Sequence, residues 1–588
     1  MPEAVPTPVT DQEAESKSFA KSLFAGHIRE DMVFPYPEPK SGEREMITLV
    51  LENLHKFAKE HIDSAKIDRE GQIPKEALGA LAEMGLFGMQ IPEKYGGIGL
   101  SQIAYGRVCE EIASIDASIA VTLGAHQSIG LKGLLLFGSD EQKQKYLPQL
   151  ASGKIIAAFA LTEPGSGSDA YSIKTRAVRQ PDGSFVLNGN KIWITNGGLA
   201  GFFTVFAKTE MESKGETKDK VTAFLVTRDM AGVSTGKDEH KLGIRGSSTT
   251  EVAFQNVRVP AENVLGEPGR GFKIAMEILN SGRLGLASGC VGGAKRLLAL
   301  ATQHATQRQQ FGKPIAEFGL IKDKLGRMSI DIYVAESIAY LTCGMIDAGV
   351  EDYSIESAIC KVSGSEMAWN VANEATQIAG GTGYMAEYPY ERMLRDARIN
   401  MIFEGTNEIL RCFIALSGMK GVGEYLKIVG EALNEPIKSL GVLYDYFVSQ
   451  KLSRTLSSDK FTKAHAEVKR EAEFIEKHVQ ELVDAVEKSI RKHKKKIWEK
   501  QFVQKRIADI AIDLYRMTAV VSRVSRSIEL KGLKAAQTEL TMVQAFCAEA
   551  NRQVTRNLRN MNRNVDEQLK SVSAEACKAQ GYPVPLYP

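Results

Sequence analysis

Hydrophobic positions recur every three or four residues in two long parts of the chain, which is the spacing of one face of an α-helix. The first part covers residues 45–157, where Leu51, Leu54 and Ile62 follow this spacing. The second part covers residues 271–425, and its helical segments lie at 273–279, 282–307, 321–348, 354–379 and 409–417. We therefore predict an N-terminal α-helical domain and a C-terminal four-helix bundle.

The period of the pattern changes near residue 155. Residues 155–161 are a short, wholly apolar run of the kind found in buried strands. Asp182 and Gly183 are a hairpin turn signal. Further strand-like segments lie near residues 173–179, 184–194, 202–208, 221–228 and 250–258. The sequence thus predicts a β-barrel-like middle domain over residues 158–270, so the fold is mainly α with a central β domain.

Two more regions flank these three domains. Residues 1–44 are an N-terminal arm, in which early prolines and acids favour disorder before Phe19, Leu23 and Ile28 give a short helical face. Residues 426–588 are an extra C-terminal helical domain with possible membrane or dimer contacts. Its apolar stripe consists of Val503, Ile507, Ile510, Leu514, Met517 and Val521. We predict that this stripe packs against the bundle instead of forming a coiled coil.

Composition narrows the class of protein. The 588 residues are 43% hydrophobic and 25% charged with a net charge of +2, which is typical of a soluble globular protein with no general attraction to nucleic acid. Seven cysteines without a CxxC pair indicate a reducing compartment and no metal site. No apolar run approaches the roughly 18 residues of a membrane span. The acidic start shows no targeting peptide, so we expect a cytoplasmic, bacterial-type protein, with peripheral association at the inner membrane left open.

One stretch stands out as candidate chemistry. Residues 402–408 read Ile-Phe-Glu-Gly-Thr-Asn-Glu and separate two helical segments. Gly405 frees the backbone for a turn, and Thr406 or Asn407 can cap the next helix. Burial beside Ile402 and Phe403 would raise the pKa of Glu404 and make it a general base. The alternative is an ordinary carboxylate near a helix N-terminus.

Four other motifs stand out. A Gly/Ser-rich loop follows the apolar run at residues 161–169, and residues 191–198 place Trp193 where a strand meets a turn. The glycines of the first let a backbone approach a planar or phosphorylated ligand closely, whereas Trp193 in the second is, taken alone, more typical of a core residue than of a cofactor contact. Arg-Gln-Gln-Phe-Gly stands at residues 308–312 and Gln-Ile-Ala-Gly-Gly-Thr-Gly at 377–383. His126 lies in an apolar helix, which indicates a satisfied core histidine more than a catalytic one.

These five pieces, in this order, resemble the acyl-CoA dehydrogenase family over residues 45–425. The Phe-Pro-Tyr-Pro arm at residues 34–37, the segment at 122–130 and the helical tail are similar to its very-long-chain branch, including the complex I assembly relative of that branch. The resemblance implies bound FAD, an acyl-CoA substrate, a homodimer and electron transfer flavoprotein as partner. Some members carry the base near positions 281–282, where Ser281 and Gly282 cannot serve.

The resemblance also implies a role for each matching residue. Glu404 removes the α-proton of the thioester and the flavin takes the β-hydrogen as hydride. Residues implied to contact FAD from the same subunit are Phe159, Leu161, Thr162, Ser168, Trp193, Thr195, Thr406 and Glu408. Those implied to reach FAD across a dimer interface are Arg308, Phe311, Gln377, Gly380 and Gly381. Those implied to bind the substrate are Ser168, Asn280, Ser281, Gly282, Arg283, Phe403 and Gly405.

Several alternatives remain open at this point. An acyl-CoA oxidase would pass electrons to oxygen, and a respiratory-complex assembly scaffold would keep only residual activity. The small residues Ser118, Ala120 and Gly124 on one helix either line a tunnel for a long acyl tail or allow close helix packing. An amphipathic segment at residues 438–454 and the basic residues 491–496 predict membrane docking, or else a solvated helix face.

Overall fold

The structure, a computed structural model, describes residues 17–213, 215–434 and 459–586. Residues 36–410 form one compact unit, and the described parts of 17–35 and 411–586 belong to a second. In the first unit helical, β and helical segments follow one another, which confirms the mainly α fold with a central β domain. The amphipathic segment predicted at 438–454 lies outside the described residues, so its predicted role is untested.

In the part of the chain that the structure describes, nine α-helices precede the sheet. Two belong to the arm, α1 (Phe19–Ala25) and α2 (Glu30–Val33). The others are α3 (Glu43–His61), α4 (Ser64–Glu70), α5 (Lys75–Glu83), α6 (Gln102–Ile115), α7 (Ala117–Gly124), α8 (Lys132–Phe137) and α9 (Asp140–Ala151). Asp63, Ser101 and Asp116 cap α4, α6 and α7 because each side chain accepts a hydrogen bond from an N–H three residues on. A π-helix, Ala125–Gly130, connects α7 to α8.

The β domain is one eight-stranded sheet. Its strands are β1 (Ala157–Ala160), β2 (Arg176–Arg179), β3 (Phe185–Thr195), β4 (Phe202–Ser213), β5 (Glu216–Thr227), β6 (Val233–Thr235), β7 (Thr249–Val259) and β8 (Val264–Leu265). The order is β6-β7-β3-β2-β4-β5-β8, and β1 pairs with β4 in parallel. The turn predicted at Asp182 and Gly183 joins the antiparallel strands β2 and β3. Sequence patterning missed the polar half of the β4–β5 hairpin and the short strands β6 and β8.

Both faces of the sheet are buried, which explains the unbroken apolar runs in its central strands. On one face Phe202 and Phe206 of β4 pack into a core that includes Leu134 of α8 and Leu147 of α9. On the other face Phe203 joins a core made by the strands themselves. Successive residues of β4 thus supply two different cores, because side chains alternate along a strand.

Long helices follow the sheet. They are α10 (Gly271–Gln307), α11 (Gly319–Asp347), α12 (Ser354–Ala379), the short α13 (Gly381–Tyr384) and α14 (Pro389–Ala397), and α15 (Asn407–Asn434). A two-stranded ribbon, β9 (Gln309–Gln310) and β10 (Lys313–Pro314), follows α10. The predicted break between residues 279 and 282 is wrong. The helix α10 continues through it because its packing against α6, α11 and α12 outweighs the weak helix propensity of Asn280, Ser281 and Gly282.

The second unit contains α16 (Lys469–His493), α17 (Gln501–Lys531), α18 (Leu533–Asn560) and α19 (Asp566–Ala579). Ile507, Ile510, Leu514, Met517 and Val521 of the predicted stripe are fully buried. Within this unit α17 packs against α16, α18 and the arm helices α1 and α2. The ring centroids of Phe19 and Tyr515 lie 6.0 Å apart, so the helical face predicted in the arm is part of this core.

Three described helical stretches are long and apolar enough to cross a membrane by length and composition alone. They are Ala117–Phe137, Gly271–Gln307 and Gly319–Asp347. Between 50% and 67% of the most apolar window of each is buried inside the protein. Small and polar residues interrupt each stretch, so none is a continuous apolar run, and these helices contribute to the core of the first unit.

Candidate active site around Glu404

Glu404 lies on a turn between two helical segments, as the sequence predicts. A 3₁₀ helix (Arg398–Met401) precedes the turn, and α15 begins after it at Asn407. Glu404 has φ +56° and Gly405 has φ +94°, so two successive residues are left-handed. That conformation costs a non-glycine residue about 1–2 kcal/mol. The Thr406 hydroxyl lies 3.4 Å from the N–H of Ile409 and accepts a long hydrogen bond, so Thr406 is the cap of α15.

The Glu404 carboxylate lies directly over Gly282 of α10. A methyl group at position 282 would stand 2.7 Å from Oε1 and 2.8 Å from Oε2 of Glu404. The same methyl group would stand 2.8 Å from Cγ2 of Ile129, which belongs to the π-helix. Only glycine leaves room for the carboxylate here, so the helix, the π-helix and the turn together define where Glu404 sits. The structure therefore brings Gly282 and Glu404 together.

Burial raises the pKa of Glu404 to about 7, and the positive charges of Arg283 and Lys361 partly oppose that rise. Oε2 of Glu404 is buried and accepts no hydrogen bond from any residue that the structure describes. The predicted apolar wall is partly wrong, because Ile402 exposes 47% of its surface while Phe403 is half-buried. The surroundings that desolvate the carboxylate come from α10 and the π-helix instead, which are distant in sequence.

Arg283 is the buried cation next to Gly282 on α10. Its Nη1 donates to Oδ1 of Asn280 at 2.9 Å, and its Nε donates to the backbone oxygen of Glu404 at 3.4 Å. Burial lowers the pKa of Arg283 to about 10, with Glu404 opposing the shift, so the guanidinium stays charged at neutral pH. Ser281 is buried on the same turn of α10. Of the predicted substrate residues, Gly282, Arg283 and Gly405 therefore adjoin the base, and Asn280 contacts Arg283.

Lys361 is a residue that sequence reasoning missed. It lies on α12, is fully buried, and donates to the backbone oxygen of Gly405 and to Oδ1 of Asn407, both at 2.8 Å. The Asn407 amide in turn donates to Ser365 at 3.0 Å and to Glu366 at 3.2 Å. A single lysine among the small and apolar residues 357–364 is a signal that could have pointed to it.

A second buried carboxylate, Glu163, joins the Gly/Ser-rich loop to β3. Lys191 donates to it at 2.7 Å, the N–H groups of Lys174 and Thr175 at 2.6 and 3.0 Å, and the Thr175 hydroxyl at 2.6 Å. Lys191 also donates to the backbone oxygen of Leu161 at 3.1 Å. Lys191 and these hydrogen bonds hold the pKa of Glu163 below its usual range although burial opposes them. Burial lowers the pKa of Lys191 to about 8.

That ion pair holds the start of the loop, with Leu161 and Thr162, beside β3. The N–H of Ile192 donates to the backbone oxygen of Thr162 at 3.0 Å, so the start of the loop lies beside the part of β3 that carries Trp193. Trp193 has φ +55° and exposes 63% of its surface, while Leu161 is buried and Thr162 and Thr195 are half-buried. Phe159 packs against Phe206 with the rings tilted and their centroids 5.0 Å apart, and Ser168 is exposed.

The remaining predicted cofactor residues form exposed surface. Phe311 has φ +52° and exposes 94% of its area. Arg308, Gln377, Gly380, Gly381 and Glu408 are exposed as well. Nothing lies within 4 Å of a Cβ built on Gly380 or Gly381. Their predicted contact with a cofactor across a dimer interface stays a prediction.

His126 is a core histidine, as predicted. Its Nδ1 accepts from the N–H of Ala157 at 2.9 Å, and its Nε2 lies 3.2 Å from the oxygen of Leu150, to which it therefore donates. Burial lowers its pKa to about 4, so the ring stays neutral. The π-helix is thereby joined to β1 and α9.

Family models match four successive parts of the chain. The matched descriptions are the acyl-CoA dehydrogenase N-terminal domain at residues 44–154, the middle domain at 158–257, the C-terminal domain at 269–419, and the ACAD9/ACADV C-terminal domain at 466–582. The chain belongs to the acyl-CoA dehydrogenase family, which confirms the resemblance of its motifs.

Similar proteins and solved structures show which members of the family the chain resembles over most of its length. The chain is 46% identical over 562 residues to the very long-chain specific acyl-CoA dehydrogenase of Rattus norvegicus, covering 94% of this chain and 86% of that protein. Among solved structures it is similar to an acyl-CoA dehydrogenase complexed with FAD from Bacillus anthracis, at a TM-score of 0.75 and 34% identity over 96% of this chain and 99% of that one. A chain in a structure titled as the electron transferring flavoprotein of Acidaminococcus fermentans matches with a TM-score of 0.60 and 36% identity, covering 64% of this chain and 98% of that one.

Proposed function

We propose that this protein catalyses the FAD-dependent α,β-dehydrogenation of long- and very-long-chain acyl-CoA thioesters to trans-2-enoyl-CoA. The observation that carries the proposal is the Glu404 carboxylate, desolvated over Gly282, with an oxygen that accepts no hydrogen bond from the described residues. A general base is most effective when its pKa lies near the working pH, and burial raises the pKa of Glu404 to about 7.

The residues of the β domain fit FAD. Trp193 presents an exposed indole at the end of β3, and a Cβ on Gly165 or Gly167 would meet nothing within 4 Å. Aromatic surface suits a planar ring, and open glycine backbone suits phosphate. Phe159, Leu161, Thr162, Ser168, Trp193, Thr195, Thr406 and Glu408 would hold the cofactor from one subunit. When bound, FAD supplies the acceptor for the β-hydrogen and its electron pair.

The chain's own groups bind and orient the thioester and move one proton. Glu404 takes the α-proton from the carbon next to the carbonyl, because its ionised form is poorly solvated and its Oε2 accepts no hydrogen bond from the described residues. Asn280, Ser281, Gly282, Arg283, Phe403 and Gly405 surround the thioester end. Among the described residues the backbone N–H of Glu404 donates no hydrogen bond, so it is available to the thioester oxygen, where one such donor is worth about 3–4 kcal/mol.

The proposal includes electron transfer flavoprotein as the acceptor and a homodimer as the active form. The exposed ring of Phe311, with Arg308, Gln377, Gly380 and Gly381, would reach the cofactor of the partner subunit. A matching chain in a structure titled for an electron transferring flavoprotein supports the choice of acceptor. The finer architecture that we propose is a barrel-like middle sheet and a C-terminal four-helix bundle.

Peripheral membrane association of a cytoplasmic protein completes the proposal. Arg491 and Lys492 end α16, and Trp498 exposes 65% of its surface a few residues later. Basic residues beside an exposed indole favour a lipid interface. Co-sedimentation with anionic liposomes should fall when residues 435–460 are deleted, and unchanged binding would contradict docking through that segment.

Two small residues of α7 differ in whether open space for an acyl tail adjoins them. Ser118 packs closely, because its hydroxyl accepts from the N–H of Gly246 at 3.2 Å. By contrast, nothing lies within 4 Å of a Cβ built on Gly124, so open space adjoins that residue. We propose that Ala120 and Gly124 border the path of the acyl tail, and a bulky residue at Ala120 should shorten the preferred chain.

A spectrum of the purified protein tests the function. We expect flavin absorbance that bleaches without oxygen on addition of acyl-CoA, fastest with long chains. Electron transfer flavoprotein should then recover the oxidised spectrum. A large peroxide yield in air would indicate an acyl-CoA oxidase, and a protein that holds flavin but never bleaches would indicate a scaffold.

A further inference from the structure

The turn that carries Glu404 needs support from outside itself. Glu404 and Gly405 are both left-handed, a conformation that persists in a non-glycine residue only when its surroundings impose it. The backbone oxygens of these two residues receive the side-chain donors of two buried cations. Arg283 donates to the oxygen of Glu404 at a long 3.4 Å, and Lys361 donates to the oxygen of Gly405 at 2.8 Å.

Lys361 makes the shorter of these contacts and a second one in the same turn. Its ammonium also donates to Oδ1 of Asn407 at 2.8 Å, and Ser365 and Glu366 fix the Asn407 amide from the same helix, α12. The lysine thus clamps residues 405 and 407 on either side of the helix cap, Thr406. A side chain this long and fully buried has few other conformations available.

The charge of Lys361 acts on Glu404 without a hydrogen bond between them. Both hydrogen bonds given for its ammonium go to the turn, and Oε2 of Glu404 accepts none from the described residues. A carboxylate locked in a direct ion pair would be a weak base, because the pair stabilises its ionised form. The other ionisable groups that act on this site are Arg283, Cys290, Glu366 and Tyr105.

We propose that Lys361 is a positioning residue for Glu404, fixing the turn through Gly405 and Asn407 and setting the basicity of the carboxylate from a distance. This inference rests on the proposed function for its kinetic consequence. Its structural part, the influence of Lys361 on the ionisation of Glu404, does not depend on turnover.

Two readouts test the proposal on the full-length protein. The first is infrared difference spectroscopy over a pH series, in which the carbonyl band of protonated Glu404 is assigned by its loss in Glu404→Gln. The second is the pH profile of kcat/KM with a long-chain acyl-CoA. Lys361→Met removes a positive charge that favours the ionised form of Glu404, and it also removes the hydrogen-bond donors. The midpoints of the infrared titration and of the kcat/KM profile should therefore both move up by about 1 pH unit. We expect kcat to fall about 10- to 100-fold from misplacement of the base, with KM little changed.

Lys361→Gln keeps a hydrogen-bond donor without the charge, and it carries the test if the methionine variant does not fold. It should move the midpoints as Lys361→Met does but retain more of kcat. The matched control is Lys295→Met on α10, which removes a lysine that pairs with Glu110 of α6 and Glu336 of α11. It should lower stability and leave both midpoints in place.

Unchanged midpoints in both Lys361 variants, or an equal shift in Lys295→Met, would overturn the proposal. Failure of the proposed function looks different. In that case the wild-type protein would not bleach with acyl-CoA, yet the infrared midpoint would still respond to Lys361.

Discussion

Glu163 and Glu404 are two carboxylates of the same unit with opposite surroundings. Glu163 accepts four hydrogen bonds, one of them from the ammonium of Lys191, and its pKa is held below its usual range. Glu404 lies near two cations that donate to the backbone of its turn, while its Oε2 accepts no hydrogen bond from the described residues and its pKa rises to about 7. Hydrogen bonds to a carboxylate stabilise its ionised form, so Glu163 serves as a structural link. A buried carboxylate with an oxygen that accepts no such bond is more basic, so Glu404 can serve as a general base.

The largest effect that this comparison predicts is on turnover. Glu404→Gln keeps the size of the side chain and removes its basicity, so kcat should fall by about 10²- to 10⁴-fold, the usual contribution of a general base. Flavin content and acyl-CoA binding should be retained, which absorbance and titration calorimetry can check. Near-normal turnover would remove Glu404 from the mechanism.

The next effect concerns stability. Glu163→Leu leaves the ammonium of Lys191 buried without its partner, and breaking a buried pair in this way costs about 3–5 kcal/mol. Denaturant unfolding should report that loss, and Glu163→Leu with Lys191→Met should recover much of it. If the single and double variants are equally stable, the ion pair is not what holds the loop to β3.

Gly282→Ala tests how closely α10 approaches the base. The added methyl group would lie within 3 Å of both Glu404 oxygens and of Ile129, so either the carboxylate or the π-helix must move. Overpacking of this kind costs about 1–3 kcal/mol, and we expect kcat to fall about 10-fold or more. Gly293→Ala is the control on the same helix, because its Cβ would meet nothing within 4 Å.

The smallest predicted effect is on the pH dependence of folding stability, which the two carboxylates should change in opposite directions. The folded-state pKa of Glu404 is raised, so its contribution to stability is present below its usual value of 4.5 and is lost as pH rises through about 7. The Glu404→Gln variant should therefore be more stable than wild type at pH 8, and its advantage in stability should be smaller at pH 5. Glu163 behaves in the opposite way, because its pKa is lowered, so its contribution is present at neutral pH and is lost on acidification.

Thermal unfolding of wild type, Glu404→Gln and Glu163→Gln at pH 5 and pH 8 would measure this difference. Equal shifts for both variants at both pH values would contradict the assigned surroundings. A stabilising substitution at Glu404 would also fit the general trade between stability and activity at functional sites.

The sequence alone predicts those parts of the site that depend on local chemistry. Glu404 before Gly405, with Thr406 or Asn407 to cap the next helix, indicates a turn that presents a carboxylate. The structure has that turn, with Thr406 as the cap. The wall was misassigned to Ile402 because a neighbour in sequence is not a neighbour in space. Lys361 lies 44 residues before Gly405, and no periodicity relates the two, so its contact depends on how α12 packs.

The fold likewise divides into features that the local sequence pattern predicts and features that depend on tertiary packing. Alternating and helical periods predicted the order of helical and β segments, because burial of apolar faces follows those periods. Patterning could not find the π-helix at Ala125–Gly130 or the unbroken course of α10 through Asn280. Both depend on tertiary packing, which overrides local propensity.

The most direct test of the central claim is the pH dependence of a single turnover. Wild-type protein mixed without oxygen with a long-chain acyl-CoA should bleach at a rate that rises through an apparent pKa near 7 and is constant above it, because Glu404 must be ionised to accept the α-proton. Glu404→Gln should lack this dependence and bleach at least about 100-fold more slowly. Equal rates for the two proteins, or a wild-type rate independent of pH between 5 and 9, would contradict the account.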